Sequence, residues 1–271
     1  MKRLFLIAIT LMLTVFCLSF AKAQELRVDF YDMGKADSML ITAPDGTRIL
    51  IDAGTNKGGK ALVERFAREG IDHIDVMIIT HYDKDHVGGA DQIIEDVGVS
   101  EIYMPVYDKE SKQYEQFMEA VDEYGVKTHP IRTKESIRVP LENVEMTITA
   151  AHRTNYGHDE ENDFSLCTRM VYGETRFLFP GDAEAPRQLE LLEEGDLACD
   201  VLKAPYHGRL VSTSERFLTA AAPKIAFIPD GPDDPASDKV IEILRNLGTD
   251  VYCGKDGGIA VISDGETVKV L

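Results

Sequence analysis

Basic residues are scarce in this chain and cysteines scarcer. Beyond one stretch at the start, no apolar run is long enough to cross a bilayer. Each shortage excludes something. The 271 residues hold 29 Lys and Arg against 47 Asp and Glu. Lys2, Arg3 and Lys22 fall within the first 23 residues, so the remainder carries 26 bases against 47 acids, a net charge of −21. Such a surface repels nucleic acid and anionic membranes at long range. Composition therefore makes no strong electrostatic case for nucleic acid as a partner. It does not exclude a nuclease, because bound metal ions supply positive charge locally. Of four cysteines, only Cys167, Cys199 and Cys253 lie beyond the first 23 residues. Three are not a disulfide framework. Cys167 and Cys199 sit in or beside apolar strand-like runs and read as buried structural residues. Outside the cytoplasm one disulfide among the three is compatible with the sequence, which does not assign it. There is no Pro- or Gly-rich linker and no low-complexity tract, hence no sign of a second domain.

The one long apolar stretch has the layout of a secretory signal. Lys2 and Arg3 give a positive start, Leu4 to Phe20 an apolar region, and Ala21-Lys22-Ala23 a small-x-small cleavage site before Gln24. The alternative is an uncleaved anchor. The stretch of 17 residues includes Thr10, Thr14 and Ser19, at the short edge of the roughly 17–25 residues that span a bilayer. Thr14-Val15-Phe16 is a poor match to the small residues expected before a lipidated Cys17. The expectation is a signal peptide over 1–23, no stable membrane anchor, and a secreted or periplasmic domain over 24–271. At 248 residues that domain is long enough for a substantial core.

Apolar alternation and turn residues predict strands at 26–30, 38–42, 48–51, 74–79, 103–105, 144–149, 165–172, 175–179, 200–205, 225–228, 251–253, 259–262 and 267–270. Helical patterns cover 60–68, 86–97, 110–124, 185–194, 213–221 and 238–247. Both halves run from strands into strand–helix alternation. That order predicts an α/β protein with an αββα sandwich: two mixed sheets packed face to face with helices outside.

The densest chemistry is Thr80-His81-Tyr82-Asp83-Lys84-Asp85-His86-Val87-Gly88-Gly89. Four metal-binding side chains, His81, Asp83, Asp85 and His86, fall within six residues at the end of an apolar strand. Imidazole suits zinc, and carboxylate suits zinc or manganese. Two carboxylates beside two imidazoles exceed what one structural zinc needs. They point to two metals, or to one with an open catalytic position. Gly88 and Gly89 stand in the first turn of the expected helix, where each costs about 1 kcal/mol. The gain expected in return is close approach of backbone to the site.

This stretch resembles the metallo-β-lactamase superfamily, whose H-x-H-x-D-H here reads H-x-D-x-D-H. The variant is similar to the branch containing the C-terminal hydrolase domain of ComEC-type competence proteins, and more distantly to phosphorylcholine esterases. Five further segments resemble that branch in order: Tyr31 to Ser38, Asp45 to Gly54, Asn162 to Leu166, Phe179 to Glu184, and Leu202 to Gly208.

The resemblance implies that His81 and Asp83 take a first metal, Asp85 and His86 a second, that Asp182 bridges them, and that His207 is a further ligand. One or two zinc ions, or manganese, would acidify a bound water to a pKa of about 7 and polarise a scissile oxygen. Asp32, Asp37 and Asp52 are candidates to orient ligand histidines, with turn-forming Asp as the alternative. His152 and His158, in the acidic loop before Asn162 and Asp163, are candidates to contact metal or substrate, as are Asn162 and Asp163 themselves. His73 and His129 read as surface or loop residues. Two positions depart from the branch. Tyr206 replaces a first His and is expected to donate to an oxyanion. Asp234 lies where a G-H-P is usual and is a candidate oxygen ligand. Arg209 is a candidate for holding a phosphate or carboxylate.

With Asp85, Asp182 and Tyr206 as catalytic residues, the expected function is a secreted metal-dependent hydrolase of phosphodiesters, from nucleic acid or a small molecule. Acyl hydrolysis is the alternative within enzymes, although such relatives more often keep the second His where Asp83 stands. An extracytoplasmic binding protein with a degraded site is the alternative outside them.

Overall fold

A computed structural model describes residues 25–157 and 161–271. The expected signal segment and His158 lie outside those residues. Among the described residues no helix is long and apolar enough to cross a membrane.

Fifteen strands form two sheets. The first has the order β15-β14-β1-β2-β3-β4-β5-β6 and the second β13-β12-β11-β10-β9-β8-β7. In the first, β1 (Leu26–Phe30), β2 (Met39–Thr42), β3 (Arg48–Ile51), β14 (Ile259–Ser263) and β15 (Val268–Val270) run antiparallel. From β3 the pairing turns parallel through β4 (Ile74–Ile78), β5 (Val99–Pro105) and β6 (Lys127–Ile131). The second sheet repeats the plan. Its antiparallel part is β7 (Ser136–Val139), β8 (Glu145–Thr149), β9 (Cys167–Tyr172) and β10 (Thr175–Phe179). Its parallel part continues through β11 (Val201–Lys203), β12 (Ile225–Ile228) and β13 (Asp250–Cys253). Parallel neighbours need crossovers, and the helices supply them. These are α1 (Asn56–Glu69), α2 (Ala90–Asp96) and α3 (Lys112–Tyr124) on the first sheet, and α4 (Ala185–Glu194), α5 (Ser214–Ala221) and α6 (Asp238–Asn246) on the second.

Three apolar layers follow from this. Inward-facing side chains of both sheets form the middle one, where Phe30 packs on Phe227 with ring centroids 5.0 Å apart and on Phe179 at 6.2 Å. Leu62, Phe66, Ile93 and Phe117 bury the first helical layer against one outer face. Leu191, Phe217, Leu218 and Leu244 bury the second against the other. The αββα sandwich is the expected architecture.

Differences from the predicted elements have local causes. Thr55 caps α1, accepting from the Gly58 N–H at 3.1 Å, so the helix starts four residues earlier than its apolar pattern. Residues 84–89 are a turn rather than the first turn of a helix, and α2 begins only at Ala90. The two glycines there do permit close approach, but of backbone to backbone. A Cβ on Gly89 would lie 2.4 Å from the Ala53 carbonyl oxygen and 2.6 Å from Gly59 Cα, and one on Gly88 would lie 2.3 Å from the Lys84 oxygen. Strands β6 and β7 were absent from the sequence pattern. Each is the edge of its sheet, and edge strands tolerate the Lys127, Pro130 and exposed Ser136 found there. Cys167, Cys199 and Cys253 are free thiols.

Candidate metal centre

The candidate ligands gather where parallel strands of both sheets end. Asp52 follows β3, His81 to His86 follow β4, Asp182 follows β10 and His207 follows β11. Carboxyl ends of such strands are where an α/β fold opens a crevice. His81 and His86 are 0% exposed, and their rings lie 4.0 Å apart. His207 is 2% exposed, its ring 5.4 Å from that of His86.

Each imidazole is oriented from behind. His86 Nδ1 lies 2.8 Å from Asp52 Oδ2, and since a carboxylate only accepts, Nδ1 carries the proton and Nε2 faces the centre. Asp52 has φ +56°, a conformation Asp tolerates better than most residues. It also accepts from the Thr80 N–H at 2.8 Å and the Thr80 hydroxyl at 2.7 Å. His207 Nδ1 donates to the Pro229 carbonyl at 2.8 Å. His81 Nδ1 meets the hydroxyls of Thr80 at 3.1 Å and Ser165 at 3.4 Å. The result is three buried Nε2 atoms, of His81, His86 and His207, with no well-formed hydrogen bond in the protein. Buried polar atoms seldom go unpaired. Three imidazole nitrogens beside carboxylates form a donor set that fits a divalent cation such as zinc.

The oxygens close around them. Asp182 Oδ2 lies 2.8 Å from His207 Nε2 and 3.4 Å from His86 Nε2, and Asp85 Oδ2 lies 3.5 Å from His207 Nε2. Asp85, His86, Asp182 and His207 thus form one complete set. His81 Nε2 and Asp83 Oδ2, 3.7 Å apart, form a second, smaller one. Asp37, His86, Asp182 and His207 also offer ligand atoms within 4.8 Å of one another. Asp37, however, approaches the Nδ1 side of both rings, at 3.8 Å from His86 and 3.5 Å from His207, and those nitrogens are already engaged. It supports the centre from beneath.

Without a cation the charges are mutual. Burial alone would lower the His207 pKa, but Asp182 and Asp85 outweigh it and push it up to about 9. His86 is likewise raised by Asp182, Asp37 and Asp52 against the opposing effect of burial. Burial works against ionised Asp182, yet His207, Lys203 and His86 hold its pKa well below the usual carboxylate range. A cation among these groups takes the place of imidazole protons, so its binding releases protons.

The structure disperses other sequence candidates. Asp32 is exposed and accepts from the Gly34 N–H at 3.1 Å, so it makes a turn. Asp163 accepts from the Glu184 N–H at 3.0 Å and the Arg187 N–H at 3.1 Å, capping α4 from outside the helix. Burial pushes its pKa up to about 6. Asn162 donates to Glu184 at 2.7 Å. Asp234 pairs with Arg209 at 2.5 Å, and Arg209 lies 5.6 Å over the Tyr206 ring. Asp234 therefore neutralises Arg209 at the rim rather than joining the donor set. Tyr206 and His207 both have left-handed backbones, at φ +50° and +48°. His152 pairs with Glu194 at 3.1 Å, His129 with Glu101 at 2.9 Å, and His73 with the Ser100 hydroxyl at 2.7 Å.

Three lysines touch the motif carboxylates. The Lys203 ammonium is 0% exposed, lies 2.8 Å from both Asp182 Oδ1 and the Gly181 carbonyl, and contacts Asp37. Lys35 reaches Asp85 Oδ2 at 3.4 Å, and Lys109 reaches Asp83 Oδ1 at 3.3 Å and also pairs with Glu161. A lysine reads in sequence as a solvated surface residue. The signal available for Lys203 and Lys35 was their place inside the resembling segments, and Lys109 had none. Ser165 orients both His81 and the Asp182 turn, whose N–H donates to its hydroxyl at 3.0 Å.

Residues 31–229 match the metallo-beta-lactamase superfamily. The chain is 27% identical over 250 residues to ComE operon protein 3 of Bacillus subtilis, covering 84% of this chain and 31% of that protein. It is 27% identical over 226 residues to Recombination protein 2 of Haemophilus influenzae, covering 82% of this chain and 26% of that one. It thus spans about a third or less of these relatives' own length. Among solved structures, the metallo-beta-lactamase fold protein YhfI of Bacillus subtilis superposes with a TM-score of 0.59 at 14% identity, covering 91% of this chain and 100% of that one.

Proposed function

This chain belongs to the metallo-beta-lactamase superfamily, and from that premise we propose that it is a secreted metal-dependent hydrolase of phosphodiesters. The observation that carries the reading is the set of three buried, unpaired imidazole Nε2 atoms facing Asp85 and Asp182. When bound there, one or two zinc or manganese ions supply Lewis acidity, polarising a phosphoryl oxygen and lowering the pKa of a water.

The protein's own part is positioning. Asp52 and the Pro229 carbonyl fix the His86 and His207 tautomers, and Ser165 holds His81 and the Asp182 turn. Lys203 keeps Asp182 ionised and leaves its Oδ2 directed at the histidines. Tyr206, beside Arg209 at the rim, is in place to donate toward charge developing on substrate. Asp83 in place of a second histidine, and relatives named for competence and recombination, favour a phosphodiester over an acyl bond. The layout of the first 23 residues supports export, with mature protein starting near Gln24.

Elemental analysis of protein purified without chelator is expected to find between about one and two equivalents of zinc or manganese. In a panel of chromogenic phosphodiester, phosphomonoester and acyl substrates, the diester should turn over fastest. Protein that cannot be loaded with metal at neutral pH would overturn the hydrolase reading. Preferred turnover of an acyl substrate would overturn the phosphodiester assignment.

A further inference from the structure

Away from Asp182 the centre carries two ammonium groups that neither hold the fold's core nor belong to the metal donor set. Lys35 comes from the loop between β1 and β2 and lies on Asp85. Lys109 comes from the loop between β5 and α3 and lies on Asp83. The two aspartates are the ones facing His207 and His81, so each half of the motif has a lysine one carboxylate away from its imidazole. Unlike Lys203, both lysines reach solvent, with side chains 31% and 12% exposed. Arg209, the other cation named at the rim, is already paired with Asp234.

The loop holding Lys109 is not free to drift. Tyr107 stacks on Phe164 with centroids 4.6 Å apart and an interplanar angle of 16°. Its hydroxyl accepts from the Tyr82 N–H at 2.6 Å, inside the metal motif. Lys109 and Glu161 thus stand on two segments joined by an aromatic stack, which fixes the ammonium beside Asp83. Positive charge held this way at a partly desolvated site acts more strongly than the same charge in water. In a chain with 47 acids against 29 bases it is also locally conspicuous.

We propose that Lys35 and Lys109 form a two-point clamp for the anionic phosphoryl group of the substrate, one on each half of the motif, with Glu161 holding Lys109 until a substrate oxygen displaces it. The clamp selects a negatively charged scissile group over a neutral acyl carbonyl. It rests on the phosphodiester reading above, but its binding step is measured without turnover.

The test uses the metal-loaded full chain and the variants Lys35→Met, Lys109→Met, Lys109→Arg and Glu161→Gln. Inorganic phosphate is the probe in calorimetry, and metal content and thermal unfolding are followed in parallel. Charge-assisted hydrogen bonds of this kind predict a phosphate Kd about 10- to 100-fold weaker in either Met variant, at unchanged metal content. Lys109→Arg should recover most of that loss, and Glu161→Gln should tighten phosphate binding by removing the competing carboxylate. With bis(p-nitrophenyl) phosphate the Met variants should raise KM, while hydrolysis of p-nitrophenyl acetate, if present, should not change. Wild-type protein that binds no phosphate, or Met variants that bind it as wild type does, would overturn the clamp. If the diester is hydrolysed but the variants match wild type, the clamp fails and the phosphodiester reading stands. If phosphate binding depends on both lysines but no diester is turned over, the clamp stands and that reading fails. If a Met variant loses metal or fold, Glu161→Gln decides, and unchanged phosphate affinity there overturns the proposal.

Discussion

Replacing Asp52 by Asn isolates the control of one ligand's tautomer. The side chain keeps its size, and Asn tolerates the left-handed conformation at φ +56° as Asp does, so the fold should survive. What changes is hydrogen-bond polarity. The carboxylate accepts from three donors: the Thr80 N–H, the Thr80 hydroxyl and His86 Nδ1–H. An amide has one oxygen and one NH2. With the oxygen kept by the Thr80 N–H, the NH2 points at the hydroxyl, which can rotate to accept, and at His86 Nδ1, which accepts only as the other tautomer. The proton then moves to Nε2, and the lone pair facing Asp182 is lost. Replacing such an outer partner of a ligand typically costs 10- to 100-fold in metal affinity, or about 1.4–2.8 kcal/mol. Calorimetric titration with zinc gives the affinity, and nitrogen-15 chemical shifts of the His86 ring give the tautomer. Wild-type affinity with Nδ1 still protonated would refute the reasoning. So would weakened affinity with an unchanged tautomer, which would trace the loss to charge alone.

Asp182→Ala should abolish hydrolysis and weaken metal retention while far-ultraviolet circular dichroism stays native, because the core is built from apolar strands; global unfolding would place Asp182 in the fold instead. Asp163 has its folded pKa raised to about 6 by burial, so the folded state holds a proton that the unfolded state has already lost. Stability should therefore fall as pH rises from about 4 to about 6, then level off. Asp163→Asn keeps an oxygen for the Glu184 and Arg187 N–H groups, and urea midpoints against pH should show that slope flattened; an identical profile would contradict it. Gly89→Ala places a Cβ against the Ala53 oxygen and Gly59 Cα, a backbone clash expected to cost about 1–3 kcal/mol, seen as a lower thermal midpoint. Unchanged stability would mean that the α1–α2 contact yields freely.

The parts of the fold that could be read from sequence are those where burial and period agree. Strands β1, β3, β10 and β12 and helix α4 lie where apolar alternation or helical spacing placed them. Edge strands β6 and β7 have one free side and correspondingly little apolar pattern, so sequence gave no sign of them. At the centre, dense spacing exposed His81 to His86, because residues this close in sequence must share one turn. His207 and Asp182 came only through resemblance, since 121 residues separate His86 from His207 and nothing local ties them. Asp163 and Asp32 show the converse limit: an aspartate beside a motif looks like a ligand, yet backbone N–H groups nearby are equally good partners. Lys203 was illegible for an electrostatic reason. Burying an ammonium is costly unless carboxylates are waiting for it, and those carboxylates, Asp37 and Asp182, lie far off in sequence.

The chain passes between its two sheets only twice, from β6 to β7 and from β13 to β14. The centre lies across that divide, with His81, Asp83, Asp85 and His86 brought by one sheet and Asp182 and His207 by the other. Neither slab alone holds a complete donor set. A bound cation is therefore a clasp on the seam: it closes only when the slabs are docked in register, and whatever free energy it contributes resists their parting rather than the melting of either one. A chelator works on the same joint in reverse. Its first effect on amide exchange should run along the mouth of the seam, at the ends of β4 and β11, while the outer helices keep time with the intact protein.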